Sequence, residues 1–442
     1  MSSEKIGIIG TGYVGLVTGT CFAKLGHTVI CSDTVEEKVQ QLKNGKSTIY
    51  EHGLEELLAE TTRNGNLTFT TSNKEVVDKS DFVFICVPTP DNPDGSADLT
   101  YVHSACKEIA ENMTEPKYII IKSTLPTTAI DSIKQKIKDN TDVDFELLAN
   151  PEFLAQGTAV KDSSNPMRVI IGAENREAAE KLRALYTNVL DDKVVMTNIP
   201  TAMITKYAAN TYLANKISFM NAIAEICERA GADVEKVAKG MGYDARIGKR
   251  FLHAGIGYGG SCFPKDTKAL LKMADDIGYR FDLMAEVIKI NESQRLVVVE
   301  KLRKTLGSLE GKRIAVLGLA FKPGTDDLRE APSRYIIREL LKNECSVVAY
   351  DPVIKSLLSN DPKNNNWEDL KHIEIYNDAY EASKDADGLV IATEYKEFKD
   401  LDFSKIAKHI RTKIIVDGRN ILPVDMLKQH GFKYCSIGRE DI

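Results

Sequence analysis

Over the first 200 residues, apolar positions gather in short continuous runs instead of alternating with polar ones. The runs are Ile6–Gly10 (IGIIG), 82–88 (FVFICVP), 118–122 (YIIIK), 145–149 (FELLA), 168–172 (RVIIG) and 194–196. Helix-like stretches such as 100–112 and 127–138 separate most of them. Strands apolar on both faces and spaced by helices predict a parallel sheet covered on each side. From about Thr201 the pattern changes: 202–230 has neither glycine nor proline and predicts one long helix, with a second over 281–305. The β–α–β pattern then restarts at 313–320, continues through a helix at 332–343 and a run at 346–351, and adds strands at 388–392 and 413–417. The polar segment 359–369 reads as a surface loop. The fold class is therefore α/β, with two Rossmann-like, doubly wound parallel-sheet domains joined by a long central helix or helical domain. The expected boundaries are 1–200, 201–308 and 309–442.

Bulk composition narrows the class. The 442 residues are 43% hydrophobic and 28% charged, which is globular, and their length calls for two or three domains. A net charge of −6 argues against a nonspecific nucleic-acid or membrane-surface binder. Eight cysteines without paired spacing, and no signal-peptide pattern ahead of Ile6, predict a reduced, cytoplasmic enzyme. No apolar run approaches the length of a membrane helix, and neither CxxC nor HxxxH occurs, so no metal is expected.

The first chemistry is in Gly10-Thr-Gly-Tyr-Val-Gly15, a G-x-G-x-x-G turn between a strand and a helix. Gly10, Gly12 and Gly15, with Tyr13 and Val14 between them, suit a pyrophosphate at a helix N-terminus. Asp33, at the end of the next strand, suits a ribose 2′-hydroxyl and favours NAD over NADP. Lys38 is either an adenosine contact or a solvated helix lysine. Thr89 and Thr124, in loops at strand ends, are candidates for the nicotinamide side or ordinary turn residues.

A second group concerns nucleophilic chemistry. Gly257-Tyr-Gly-Gly-Ser-Cys-Phe-Pro-Lys-Asp266 sets Cys262 in a glycine-dense turn, with Lys265 and Asp266 close behind. A thiol is a good nucleophile as thiolate, which cations and backbone N–H groups favour. Glycines there would let backbone approach a substrate. Glu152, at a strand end, is either a general base or a helix N-terminal carboxylate. Lys206 and Asn210 are one helical turn apart on a largely apolar stretch, and are either oxyanion donors or solvated groups.

Taken in order, GTGYVG, the KST loop, NPEFLA, KYAAN, GYGGSCFPKD, GLAFKPGTDDLRE and VDGRN resemble the nucleotide-sugar 6-dehydrogenase family over essentially the whole chain. That resemblance implies a four-electron oxidation of a sugar CH2OH with two NAD per substrate, through a thiohemiacetal and a thioester on Cys262. It implies UDP-glucose as substrate, with GDP-mannose and UDP-N-acetylmannosamine as rivals. It assigns oxyanion stabilisation to Lys206 and Asn210, and pairing with Lys206 or water positioning to Asp266. Hydrolysis falls to Glu152, with Thr124 nearby. Gln156, Lys265 and Arg329 fall to the cofactor. Phe153, Leu154, Phe251, Leu252, His253, Ala254, Gly255, Gly259, Lys322 and Arg419 fall to the substrate, with Arg246 reaching it from a neighbouring subunit of a homodimer. One departure stands out: the family commonly has glutamate where this chain has Gln156, so Glu152 is expected to carry the base role alone.

Overall fold

The computed structural model describes residues 3–354 and 368–441, so most of the loop expected at 359–369 lies outside the described residues. The first sheet contains β1 (Lys5–Ile9), β2 (Thr28–Ser32), β3 (Leu67–Thr70), β4 (Phe82–Ile85), β5 (Lys117–Ile121), β6 (Phe145–Ala149), β7 (Val169–Ala173) and β8 (Val194–Thr197). Their order is β3-β2-β1-β4-β5-β6-β7-β8. The chain reverses its direction of addition between β1 and β4, which opens a crevice at the strand carboxyl ends. The continuous apolar runs are explained by burial on both faces. Phe82 and Phe84 of β4 enter one core, and Val83 and Ile85 enter the other.

Two strands, β7 and β8, depart from the expected parallel arrangement; they are parallel to each other and run against the other six. β6 and β7 pair antiparallel, with Leu148 opposite Ala173. An antiparallel neighbour needs no crossover, so residues 150–168 stay at the edge where β6 ends. That segment carries Asn150, Glu152 and Gln156.

The second sheet contains β9 (Arg313–Leu317), β10 (Ser346–Tyr350), β11 (Glu374–Ile375), β12 (Gly388–Ile391), β13 (Ile414–Asp417) and β14 (Lys433–Ser436). Its order, β11-β10-β9-β12-β13-β14, repeats the first six positions of the first sheet, and every pair is parallel. Again successive residues serve two cores, Ile314 and Val316 on one face and Ala315 and Leu317 on the other.

Contacts divide the chain into two units, Met1–Ala209 with Lys268–Arg280, and Asn210–Thr267 with Phe281–Ile442. The long helix is present as Ile199–Ala230 and passes from the first unit to the second after Ala209. Gly231, at φ +68°, ends it, and the Ala232 N–H returns to the Cys227 carbonyl at 2.9 Å, as a left-handed terminating residue requires. The helix expected over 281–305 is two helices, Asp282–Gln294 and Val297–Leu306. No glycine or proline marks the break. Arg295, beside it, is buried against Glu330 at 3.2 Å and stacks on Tyr335, and this tertiary pull replaces a local signal. Among the described residues no helix is long and apolar enough to cross a membrane.

The two β–α–β starts differ in one carboxylate. Asp33 follows β2 and is half-buried, whereas Asp351 follows β10 and is fully buried. Asp351 accepts from the N–H groups of Leu319 (2.7 Å), Ala320 (3.0 Å), Val353 (2.9 Å) and Ile354 (3.1 Å), and from the Tyr395 hydroxyl (3.1 Å). In the second unit this carboxylate holds the turn together. Removing it strands several buried donors, each costing about 1–3 kcal/mol. Asp351→Ala is therefore expected to lower unfolding free energy by about 3 kcal/mol or more, read as a lower urea midpoint, and an unchanged midpoint rejects the role.

Candidate active site

In the first unit the glycine turn opens the helix Tyr13–Lys24. Its three glycines are required for different reasons. Gly10 has φ +98°, and a Cβ there would lie 2.8 Å from the Cys86 carbonyl oxygen. A Cβ on Gly15 would lie 1.9 Å from the Gly10 carbonyl oxygen, so only glycine permits the helix to start so close. Around Gly12 nothing lies within 4 Å, which leaves its approach to the helix N-terminus open. Asp33 Oδ2 accepts from the Thr11 hydroxyl (2.7 Å) and N–H (3.2 Å), and Oδ1 accepts from Val35 N–H (3.1 Å). An anchored, half-buried carboxylate beside an open glycine turn fits a dinucleotide: pyrophosphate at the turn, ribose at the acid. Lys38 is exposed and makes no hydrogen bond or ion pair among the described residues.

The loops after β4 and β5 are tied to each other. Thr89 donates its hydroxyl to the Thr124 carbonyl at 3.1 Å, and Ser123 donates to the Val87 carbonyl at 2.7 Å. Thr89 thus serves the loop, while the half-buried Thr124 hydroxyl has no partner among the described residues.

Glu152 lies in the loop after β6, outside any helix, so the helix N-terminal reading does not hold. Its Oε2 accepts from Leu154 N–H at 2.6 Å, and its Oε1 accepts from Lys206 Nζ at 2.8 Å. Both side chains are buried, so Lys206 is not a solvated lysine. The Phe153 ring lies 5.5 Å from Lys206 Nζ and carries the Arg168 guanidinium at 3.9 Å on centroid distance.

Behind this loop is a second buried cation that the sequence did not single out. Lys122 Nζ donates to Asn150 Oδ1 (2.9 Å) and to the Asn150 carbonyl (3.3 Å), and lies 3.5 Å from the Tyr186 hydroxyl. Asn150 Nδ2 donates to the Ile170 carbonyl at 3.0 Å, so the residue that opens the loop is fixed from both sides. Burial brings the Lys122 ammonium down to about 8; Cys86 and Glu152 oppose that, and Lys206 adds to it.

In the second unit Cys262 directly precedes the helix Phe263–Asp276, and its carbonyl accepts from Asp266 N–H at 2.8 Å. The thiol therefore sits at a helix N-terminus, where thiolate is favoured. Arg329 lies close enough to interact electrostatically with it. Arg329 itself is held by Asp327 through two bonds of 2.8 and 2.7 Å, and its carbonyl accepts from Gly260 N–H at 2.9 Å. Of the eight cysteines, Cys262 alone is exposed. Asp266, nearly fully buried, accepts from Asn210 Nδ2 (2.6 Å) and from Lys265 Nζ (2.8 Å). Asn210 is thereby oriented by a carboxylate and is not solvated.

The glycines around Cys262 also leave room for the protein's own chain. A Cβ on Gly257 would meet Asn291 Oδ1 at 2.6 Å, on Gly259 the Glu330 carbonyl oxygen at 2.3 Å, and on Gly260 the Phe321 ring at 2.8 Å. Arg419 adds a clamp, donating to the carbonyls of Ala392 (2.9 Å), Gly257 (3.3 Å) and Phe321 (3.4 Å). Lys322 Nζ lies 5.4 Å from the Phe321 ring centroid. Phe251 has φ +64°, a conformation costly for a bulky residue and characteristic of functional loops. Leu252, Ala254 and Gly255 are buried, and His253 is exposed. Arg246 is exposed and paired with Asp244 at 2.6 Å.

The dinucleotide turn of the first unit is that of a nicotinamide-linked dehydrogenase. Residues 4–190 match the NAD binding domain of the UDP-glucose/GDP-mannose dehydrogenase family, 200–293 its central domain and 315–424 its UDP binding domain, and the chain belongs to that family. Its cofactor is NAD. UDP-glucose 6-dehydrogenase TuaD of Bacillus subtilis (strain 168) is 44% identical over 443 residues, 99% of this chain and 93% of that protein. The UDP-glucose 6-dehydrogenase of Rhizobium meliloti (strain 1021) is 42% identical over 446 residues, 99% and 100% of the two chains. The structure of a UDP-glucose dehydrogenase from Pyrobaculum islandicum superposes with a TM-score of 0.91 at 33% identity, covering 99% of this chain and 98% of that one.

The buried Lys122 makes stability depend on pH. Its folded pKa lies below its ordinary 10.5, so between about 8 and that value the unfolded chain binds more protons than the folded one. Stability contributed at this site then rises with pH across that window. Relative to Lys122→Met, the wild type is expected to gain unfolding free energy from pH 8 to pH 10. A pH-independent difference between the two rejects the buried, titrating ammonium.

Proposed function

We propose that the chain oxidises the C6 hydroxymethyl of UDP-glucose to the carboxylate, giving UDP-glucuronate and two NADH. The observation that carries this reading is Cys262, the one exposed cysteine, set at a helix N-terminus beside Arg329. The names of the relatives at 44% and 42% identity support UDP-glucose over GDP-mannose or an acetylated mannosamine. NAD, when bound, supplies the hydride acceptor for both oxidations.

The residues divide the remaining work. Lys206 and Asn210, on consecutive turns of one helix, donate to the oxygen that bears negative charge in each step. Cys262 adds to the aldehyde as a thiohemiacetal and retains it as a thioester after the second oxidation. Glu152 accepts a proton from the hydrolytic water, and the thiolate leaves. Asp266 orients the Asn210 amide and fixes Lys265. Thr124 offers its hydroxyl near the cofactor edge. Phe153 and Leu154, Phe251 to Gly255, Gly259, Lys322 and Arg419 hold the nucleotide sugar. Tyr13, Val14, Gln156 and Arg329 serve the cofactor. The three matched segments support a division into parts 1–200, 201–308 and 309–442. Seven buried, unpaired cysteines support a reducing, cytoplasmic setting.

Two NADH per UDP-glucose are expected, with no aldehyde captured by hydroxylamine. Cys262→Ser is expected to lose at least about 10³-fold in turnover. One NADH per sugar, or an active serine variant, defeats the thioester route.

The long helix also carries Ile204, Tyr212, Phe219 and Ile226, all exposed and spaced by about one heptad. Such a stripe on one face supports a homodimer packed along this helix, with Arg246 reaching the partner's substrate. Phe219→Asp combined with Ile226→Asp is expected to halve the mass measured by light scattering. A wild-type monomer, or an unaffected double variant, overturns it.

A further inference from the structure

Glu51 belongs to no motif in the chain, yet it is a buried carboxylate at 7% exposure. It lies just ahead of the helix Leu54–Arg63 and reaches into the first unit's cofactor region. Its Oε1 accepts from Ala159 N–H at 2.8 Å. Its Oε2 accepts from Gly157 N–H at 2.7 Å and from the Tyr13 hydroxyl. The Gly157 N–H also lies 3.2 Å from the Tyr13 hydroxyl, which closes a three-membered set. Gly157 has φ +84°, a left-handed conformation that glycine adopts without the cost a side chain would add.

The partners of Glu51 come from two separate places in the sequence. Tyr13 is the first residue of the helix whose amino end is the open seat for the pyrophosphate. Gly157 directly follows Gln156, at the far end of the loop that begins with Asn150 and contains Glu152. A charged group this deep is expensive to bury unless its lone pairs are filled. Here two backbone N–H groups and a phenol fill them, so the carboxylate serves as the joint between the two segments.

We propose that Glu51 is a positioning residue of the cofactor site, clamping Tyr13 and Gly157 so that the pyrophosphate turn and the loop bearing Glu152 and Gln156 move as one piece. The inference rests on the cofactor and is independent of which nucleotide sugar is oxidised. Glu51 touches neither cofactor nor substrate in this role; it acts through Tyr13 and Gly157.

The test is calorimetric titration of the whole enzyme with NAD+ alone, on wild type, Glu51→Gln, Tyr13→Phe and the double variant. Glutamine keeps the volume and one acceptor but turns an NH2 group toward one of the three donors. Loss of a charge-assisted bond of this kind is expected to weaken NAD+ binding about 10-fold. The double variant is expected to bind within about two-fold of Glu51→Gln, because both changes break one joint. In turnover, KM for NAD+ is expected to rise by more than KM for UDP-glucose, a split that general loosening of the fold does not produce. Thermal melting identifies a folded Glu51→Gln. If that variant does not fold, Tyr13→Phe, which removes only one hydroxyl, carries the test with an expected weakening of about three-fold. A folded variant with wild-type affinity for NAD+, or equal rises in both KM values, overturns the proposal. An enzyme that binds NAD+ in this way but does not oxidise UDP-glucose sinks the substrate reading and leaves this one standing.

Discussion

The buried ion pair between Glu152 and Lys206 is the constraint around which the first unit's functional edge is built. At 2.8 Å, with both side chains shut away from water, neither charge can be removed without stranding the other. Its position follows from topology. β6 and β7 run antiparallel, so the segment between them never leaves the ligand edge, and the glutamate it carries meets the opening turns of the long helix. Around that pair the loop is held by further cations, with Arg168 stacked on Phe153 and Lys122 bonded to Asn150.

Much of the architecture could be read from the chain because parallel strands buried on both faces leave a direct trace. Runs such as FVFIC and YIIIK have no polar alternation, and their side chains do enter two cores. The long helix was legible for a different reason: the stretch without glycine or proline ends at Gly231, where the backbone turns left-handed. The break at Arg295 was not legible. It is imposed by Glu330 and Tyr335, which are remote in sequence and leave no mark near the helix itself.

The same division runs through the site. Gly10, Gly15, Cys262 and Asp266 could be singled out because their spacing encodes a local geometry. Glu51 and Lys122 could not, since each acts on partners far along the chain and neither sits in a spaced pattern. The glycines before Cys262 are an instructive middle case. Their presence was readable, but what fills the space beside them is Asn291, Glu330 and Phe321, and only folding brings those residues there.

Asp351 shows how one scaffold is put to two uses. A second unit built on the plan that binds a dinucleotide carries a carboxylate at the same place after its second strand. Five internal donors occupy the carboxylate that a ribose diol would otherwise seek. The second unit keeps the scaffold and turns that handle inward, so the same carboxylate position serves a ligand seat in one half of the chain and a structural knot in the other.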